Sequence, residues 1–156
     1  MSICLIRAIH NKLLTRDKLL SIGIVDSDTC PLCLFGQESR NHLFFASPYS
    51  AYIWSLCKLK LGLDATIGSF LEECSLIRQR FTGKYKSTML PRLVLRGAIW
   101  HIWRERNERF FSTKIQTQDY CVQKSLRRYT SFHEILFLEK ETESFFCNCT
   151  KQLGNF

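Results

Sequence analysis

The sequence contains few residues that break helices: seven glycines and three prolines among 156 residues. Because folds with many β-turns use these two residues heavily, their scarcity favours long helices. The chain also lacks an uninterrupted apolar run of the roughly 18 residues that a membrane-spanning helix needs. Arg7 interrupts the N-terminal apolar stretch too early for a signal peptide. We therefore expect an intracellular protein, nuclear or cytoplasmic, that is neither secreted nor attached to a membrane.

The overall composition is that of a globular domain. Apolar residues make up 46% of the chain and charged residues 23%, which excludes the low-hydrophobicity, high-charge signature of disorder. The eight cysteines do not indicate a disulfide scaffold, because no secretion signal is present and the chain can bury a core without crosslinks. Cys30 and Cys33 are the pair whose spacing has a chemical meaning.

Sequence patterns that would indicate an enzyme are missing. Two-metal-ion phosphoryl transfer needs a cluster of carboxylates, and no such paired aspartate motif is present. No glycine-rich phosphate-binding loop is present either. The acidic pair Glu72 and Glu73 is interpreted as solvated helix surface. We predict a protein that is not an enzyme and has no small-molecule substrate.

Positive charge is concentrated in one part of the chain. The net charge is +8, and residues 78–128 hold thirteen basic and three acidic side chains. The natural partner of such a block is a polyanion, RNA or DNA, although a solvated basic helix surface would show the same pattern. The candidate nucleic-acid-binding residues are Arg92, Arg96, Arg104, Arg106, Arg109, Arg127 and Arg128.

The spacing of apolar residues predicts helices along most of the chain. The predicted helical segments are 3–14, 16–22 with Thr15 as N-cap and Gly23 closing the helix, 48–59 with Ser47 as N-cap, 66–80, 86–112 and 118–138. The segment 48–59 is predicted to bury Tyr52, Ile53, Leu56 and Leu59. In 86–112 the apolar arc runs from Leu95 to Phe110 and also contains Arg106, for which pairing with a carboxylate is one interpretation. Trp100, Trp103 and Phe110 could stack on bases, but core packing is the stronger interpretation.

Three residues have the spacing of zinc ligands. Cys30-Pro31-Leu32-Cys33 lets two thiolates occupy adjacent corners of a tetrahedron, and His42 follows nine positions after Cys33. A fourth ligand is expected four or five residues later, where the chain has Ser47, a poor zinc ligand because its hydroxyl is not deprotonated at neutral pH. If the site is real, the two sulfurs and a ring nitrogen should lie within about 4 Å of each other.

A longer set of residues, spread over roughly 5–112, resembles one domain family. The set comprises Leu14-Thr15-Arg16-Asp17-Lys18-Leu19, Gly23-Ile24, the Cys30–Cys33 turn, Glu38, His42-Leu43-Phe44-Phe45, Pro48-Tyr49-Ser50, Trp54 and Ile99–Phe111. It is similar to the zinc-binding domain that follows the reverse transcriptase in plant LINE-type (non-LTR) retrotransposons. The resemblance implies zinc as cofactor, Cys30, Cys33 and His42 as ligands, and Ser47 at the position where the family has a fourth ligand, a cysteine.

Together these features predict an all-α class: a small helical domain with an N-terminal zinc-knuckle-like irregular loop and long C-terminal helices. We expect a zinc-binding-like domain at 1–62 with its knuckle at 30–47, a helical extension with the basic block at 63–138, and a flexible tail at 139–156. The favoured function is that of a non-catalytic, detached C-terminal fragment of a retrotransposon polyprotein that binds RNA or DNA. The alternative is a decayed domain that packs against another part of a reverse transcriptase, with neither zinc nor nucleic-acid activity.

Overall fold

Helices account for the regular structure of residues 2–83, 85–112 and 115–126, which are the residues that the computed structural model describes. Along the chain they are α1 (Ser2–Ile9), α2 (Arg16–Ser21), a π-helical segment (His42–Ala46), α3 (Pro48–Lys60), α4 (Phe70–Arg80) and α5 (Lys86–Phe111). Residues 118–126 are helical as well. Within these ranges no strand forms, and an isolated antiparallel bridge joins Thr29 and Gln37. The predicted all-α class with a small irregular loop is confirmed. The continuation of the last predicted helix to 138 and the tail at 139–156 lie outside the described residues.

The first two helices end where the backbone enters the left-handed region. α1 stops at Ile9, five residues before the predicted end, because Asn11 has φ 52° and the Lys12 amide turns back to the Arg7 carbonyl at 2.7 Å. α2 ends at Ser21, and Gly23 follows with φ 72°. This conformation costs glycine little, which is why Gly23 stops the helix where the sequence predicts it.

The buried face of α3 differs from the predicted stripe. Tyr52 and Leu59 are 43% and 56% exposed, whereas Tyr49, Ile53 and Trp54 are buried. The reason is that the buried face of α3 is set by where several neighbouring elements lie, and not by a single apolar stripe. The Trp54 ring packs 5.5 Å from that of Phe45, and the Tyr49 hydroxyl lies 3.4 Å from the Cys121 sulfur of the segment 118–126.

An ion pair joins α3 to α4 inside the protein. Lys58 Nζ lies 3.1 Å from a Glu73 carboxylate oxygen, and the Trp54 indole donates to the other oxygen at 2.8 Å. Glu73 is therefore buried, and its interpretation as solvated surface is wrong. Glu72 does lie on the surface, where it closes a capping box with Ser69 at the start of α4.

α5 is the element against which the others pack. α1, α3, α4 and the π-helical segment all contact it. Its predicted apolar arc is confirmed over the middle of the helix, where Leu95, Ala98, Ile99 and Ile102 are buried in a core that also contains Leu43, Phe44 and Ile53. No helix among the described residues combines the length and apolar character needed to cross a membrane.

Candidate metal centre

The loop that carries the two spaced cysteines folds back on itself. The Cys30 amide donates to the Gly36 carbonyl at 3.0 Å, and the Leu34 amide donates to the Cys30 carbonyl at 2.8 Å. The reversal places Leu34 at φ 57° and Gly36 at φ 77°, so the turn uses the left-handed region twice. The Glu38 amide closes the base of the loop by donating to the Asp28 carbonyl at 2.7 Å. We call residues 28–38 the knuckle loop.

The fold brings the three predicted ligands together. One potential ligand atom from each of Cys30, Cys33 and His42 lies within 4.8 Å of the others, and the Cys33 sulfur is 3.3 Å from His42 Nε2. Donors bound to one tetrahedral zinc are separated by about 4 Å or less, so the group is slightly wider than a closed site. Two sulfurs and an imidazole are a donor set that zinc prefers.

Burial shifts the pKa of Cys30 and that of His42. It raises the pKa of the Cys30 thiol to about 11, against the opposing effect of hydrogen bonds from the Cys33 and Leu32 amides. Burial also lowers the pKa of His42, against the opposing effect of the Glu38 carboxylate. The imidazole is therefore neutral at physiological pH, as a metal ligand must be, while the Cys30 thiol must lose its proton when metal binds.

Ser47 occupies the position where a fourth ligand is expected. It is the N-cap residue of α3 and its amide donates to the His42 carbonyl at 2.6 Å, but its side chain makes no capping hydrogen bond. Ser47 is fully buried, and its hydroxyl oxygen has no hydrogen-bond partner among the described residues. Ser47 is thus the cap by position only. An unpartnered buried hydroxyl is costly, and the N-cap role does not account for it.

The structure separates the candidate phosphate-binding arginines. Arg106 is 2% exposed and bonds Glu38 of the knuckle loop, with Nε–Oε1 at 2.7 Å and Nη2–Oε2 at 3.0 Å. Arg109 pairs with Glu105 at 2.8 Å and Arg104 with Glu108 at 2.7 Å. The burial of Arg106 leaves it no surface to offer a phosphate, and its pairing with a carboxylate matches one of the interpretations of its position. Arg127 and Arg128 lie outside the described residues.

Arg92 and Arg96 of α5 line the same groove as Arg78 of α4, which the sequence pattern did not single out. The groove has a volume of about 290 Å³, lies between α1, α4 and α5, and is also lined by Leu5, Leu71, Ile77 and Leu95. Within the described part of the chain, none of the three arginines forms an ion pair. Arg78 sits on α4, so its proximity to the α5 arginines depends on how the two helices pack.

The candidate stacking aromatics have different surroundings. The Phe110 ring is covered by the guanidinium groups of Arg106 and Arg16, at 4.8 Å and 5.3 Å from its centroid. Trp103 is half-buried and also lies under Arg106. Trp100 is half-buried with Arg104 5.5 Å from its ring. Phe110 and Trp103 therefore take part in packing, which was the stronger interpretation.

Residues 1–54 match the family model described as zinc-binding in reverse transcriptase. This segment is similar to a reverse transcriptase zinc-binding domain. The matched part contains Cys30, Cys33, His42 and Ser47 and ends within α3, whereas α4 and α5 lie beyond it. The comparisons with curated proteins and with solved structures gave no match.

Proposed function

We propose that this chain is a non-catalytic, accessory zinc-binding domain of a reverse transcriptase, with Cys30, Cys33 and His42 as the metal ligands. The observation that carries the proposal is the convergence of these three side chains inside the segment that matches the zinc-binding family model. A bound zinc ion would supply a structural crosslink between the knuckle loop and the π-helical segment. The ordered resemblance over 5–112 further supports an origin in a plant LINE-type retrotransposon.

The serine at position 47, where a fourth thiolate is expected, determines how tightly we expect zinc to bind. With three protein ligands, zinc binding is weaker than in a closed four-ligand site, and Ser47→Cys should restore the missing thiolate and tighten binding by orders of magnitude. Because the Ser47 side chain makes no capping hydrogen bond, this substitution removes no helix cap.

The test is a competition titration of zinc against a chromogenic chelator. We expect one zinc per chain, loss of binding in Cys33→Ser, and retention in Cys74→Ser, a matched change at another half-buried cysteine. Equal affinity in the wild type and Cys33→Ser would contradict the proposal. Equal affinity in the wild type and Ser47→Cys would show that Ser47 does not stand at a ligand position.

We propose in addition that the domain contacts RNA or DNA through the arginine-bordered groove. The supporting observation is that Arg78, Arg92 and Arg96 border one surface groove in the part of the chain with the largest excess of positive charge. Neutralising the three arginines together should weaken binding and flatten its dependence on salt, since each lost phosphate contact reduces the slope by about one. Arg104→Ala is the control, because Arg104 is already paired with Glu108.

A packing role against another domain of a reverse transcriptase is the alternative outcome. It is favoured by the tip of the knuckle loop, where Leu34 and Phe35 are both 79% exposed. If the chain binds no nucleic acid at low salt, and a hydrophobic dye binds strongly in the wild type but weakly in the double variant Leu34→Ser/Phe35→Ser, the packing role is preferred.

A further inference from the structure

We propose that Arg109 of α5 is a positioning residue for the metal-binding loop, so that zinc affinity depends on a helix outside the segment that resembles the zinc-binding family. The inference rests on the proposed zinc site and deepens it by naming what holds the site in shape. Arg109 lies 77 residues along the chain from the loop residue that it contacts.

The guanidinium of Arg109 donates to the carbonyl of Leu32 at 2.8 Å. Leu32 is buried and stands between the two cysteine ligands. The Leu32 carbonyl belongs to the same planar peptide unit as the amide of Cys33, so holding this carbonyl restrains the backbone that leads directly into Cys33. The Cys33 sulfur in turn lies 3.3 Å from His42 Nε2. Arg109 thus holds the peptide immediately before one of the clustered ligand residues.

The Arg109 guanidinium is itself held in one orientation. Its Nε pairs with Glu105 at 2.8 Å, and its Cζ atom lies over the Tyr49 ring, 4.5 Å from the ring centroid. Glu105 also accepts from the Gln116 amide at 2.9 Å, which orients the carboxylate. A rigid fork of donors of this kind can position a backbone carbonyl, whereas a flexible point charge such as a lysine ammonium cannot do so equally well.

A second arginine of the same helix holds the other side of the knuckle loop. Arg106 binds the Glu38 carboxylate, and Glu38 lies between Cys33 and His42 in the chain. The loop is therefore attached to α5 at Leu32 and at Glu38, on both sides of Cys33. Outer contacts that orient metal ligands commonly change affinity 10- to 100-fold when they are removed.

Zinc affinity is to be measured in the full chain by competition with a chromogenic chelator for the wild type, Arg109→Ala, Arg109→Lys and Arg104→Ala. Arg104 is a close match, because it too forms an ion pair with a glutamate four residues away on α5, although it is more exposed and contacts no ligand loop. We expect a roughly 10- to 100-fold loss for Arg109→Ala, partial recovery for Arg109→Lys, and less than about a threefold change for Arg104→Ala.

A variant that lowers only the general stability separates positioning from folding. Ile77→Val in the buried core is expected to lower the unfolding free energy of the whole domain and, while folded, to keep the wild-type zinc affinity. The Co²⁺ absorption spectrum, which reports ligand geometry, should change in Arg109→Ala and stay unchanged in Ile77→Val. If Arg109→Ala does not fold by circular dichroism, Arg109→Lys decides by the same two readouts.

Zinc affinity and a Co²⁺ spectrum in Arg109→Ala that match those of Arg104→Ala or Ile77→Val would overturn this inference while leaving the proposed zinc site intact. Absence of zinc binding in the wild type would overturn the proposed function first, and the inference with it.

Discussion

The buried ion pair between Glu38 and Arg106 gives a quantitative test of how the knuckle loop is attached. The two side chains are 0% and 2% exposed, and the carboxylate accepts from Arg106 at 2.7 Å and 3.0 Å and from the Arg16 amide at 3.1 Å. Arg106→Met removes two of these three donors and leaves an uncompensated buried charge. Such a change costs about 3–5 kcal/mol of unfolding free energy. Because a whole domain has about 5–15 kcal/mol, we expect this variant to be barely stable.

The assay is urea unfolding followed by circular dichroism for the wild type, Arg106→Met, Glu38→Gln and the double variant. The double variant should be more stable than the sum of the single losses predicts, by at least about 1–3 kcal/mol, because removing both charges leaves neither one unpaired. Arg104→Met is the control, since its partly exposed pair with Glu108 is worth at most about 1 kcal/mol. A loss below about 1 kcal/mol in Arg106→Met, or strict additivity in the double variant, would refute the reasoning.

Three further predictions concern local features of the chain. Gly36→Ala and Gly23→Ala should each lower the unfolding free energy by about 1–2 kcal/mol, because both glycines have positive φ. In a chelator competition only the change at Gly36, which lies inside the knuckle loop, should weaken zinc binding. Equal zinc affinities in the two variants would contradict this. Hydrogen bonds from the Ser69 backbone and side chain lower the pKa of Glu72 below its ordinary 4.5. The half of the capping box that the Glu72 carboxylate makes is therefore complete above pH 4.5 and is lost as the pH falls through the lowered pKa. An NMR titration in which the amides at the start of α4 show no such change would refute this reasoning. Burial raises the pKa of Cys57 from 9.0 to about 12. Its alkylation by iodoacetamide at pH 8, followed by mass spectrometry, should therefore be at least about 10³-fold slower than that of an unperturbed thiol. A rate close to that of a denatured control would show that the thiol is not buried.

Features that depend on neighbours in the chain could be predicted from the sequence. Gly23 ends α2 as expected, because a left-handed residue after a helix is a local property of the backbone. The metal-ligand spacing of Cys30 and Cys33 likewise depends on a short turn. The apolar arc of α5 was predictable because one continuous helix packs one face against a single core.

The buried face of α3 could not be predicted in the same way. A stripe calculation assumes that a helix is covered from one side, whereas α3 meets the π-helical segment, α4 and the segment 118–126. The contacts with these elements fall at Tyr49, Trp54 and Lys58, and Tyr52 and Leu59 stay exposed. Lys58 is buried because Glu73 of α4 neutralises its charge.

The sequence by itself determined the helical class, the positions of most helix ends and the identity of three ligand-type residues. Only the tertiary structure decided which charged side chains leave the surface. In the sequence, Arg106 and Arg109 belong to a basic block. In the structure, Arg106 is buried against Glu38, 68 residues away in the chain, and Arg109 donates a hydrogen bond to the Leu32 carbonyl, 77 residues away. Local spacing cannot encode these contacts, because a guanidinium is buried only when a distant carboxylate or carbonyl reaches it with the right geometry to offset its lost hydration.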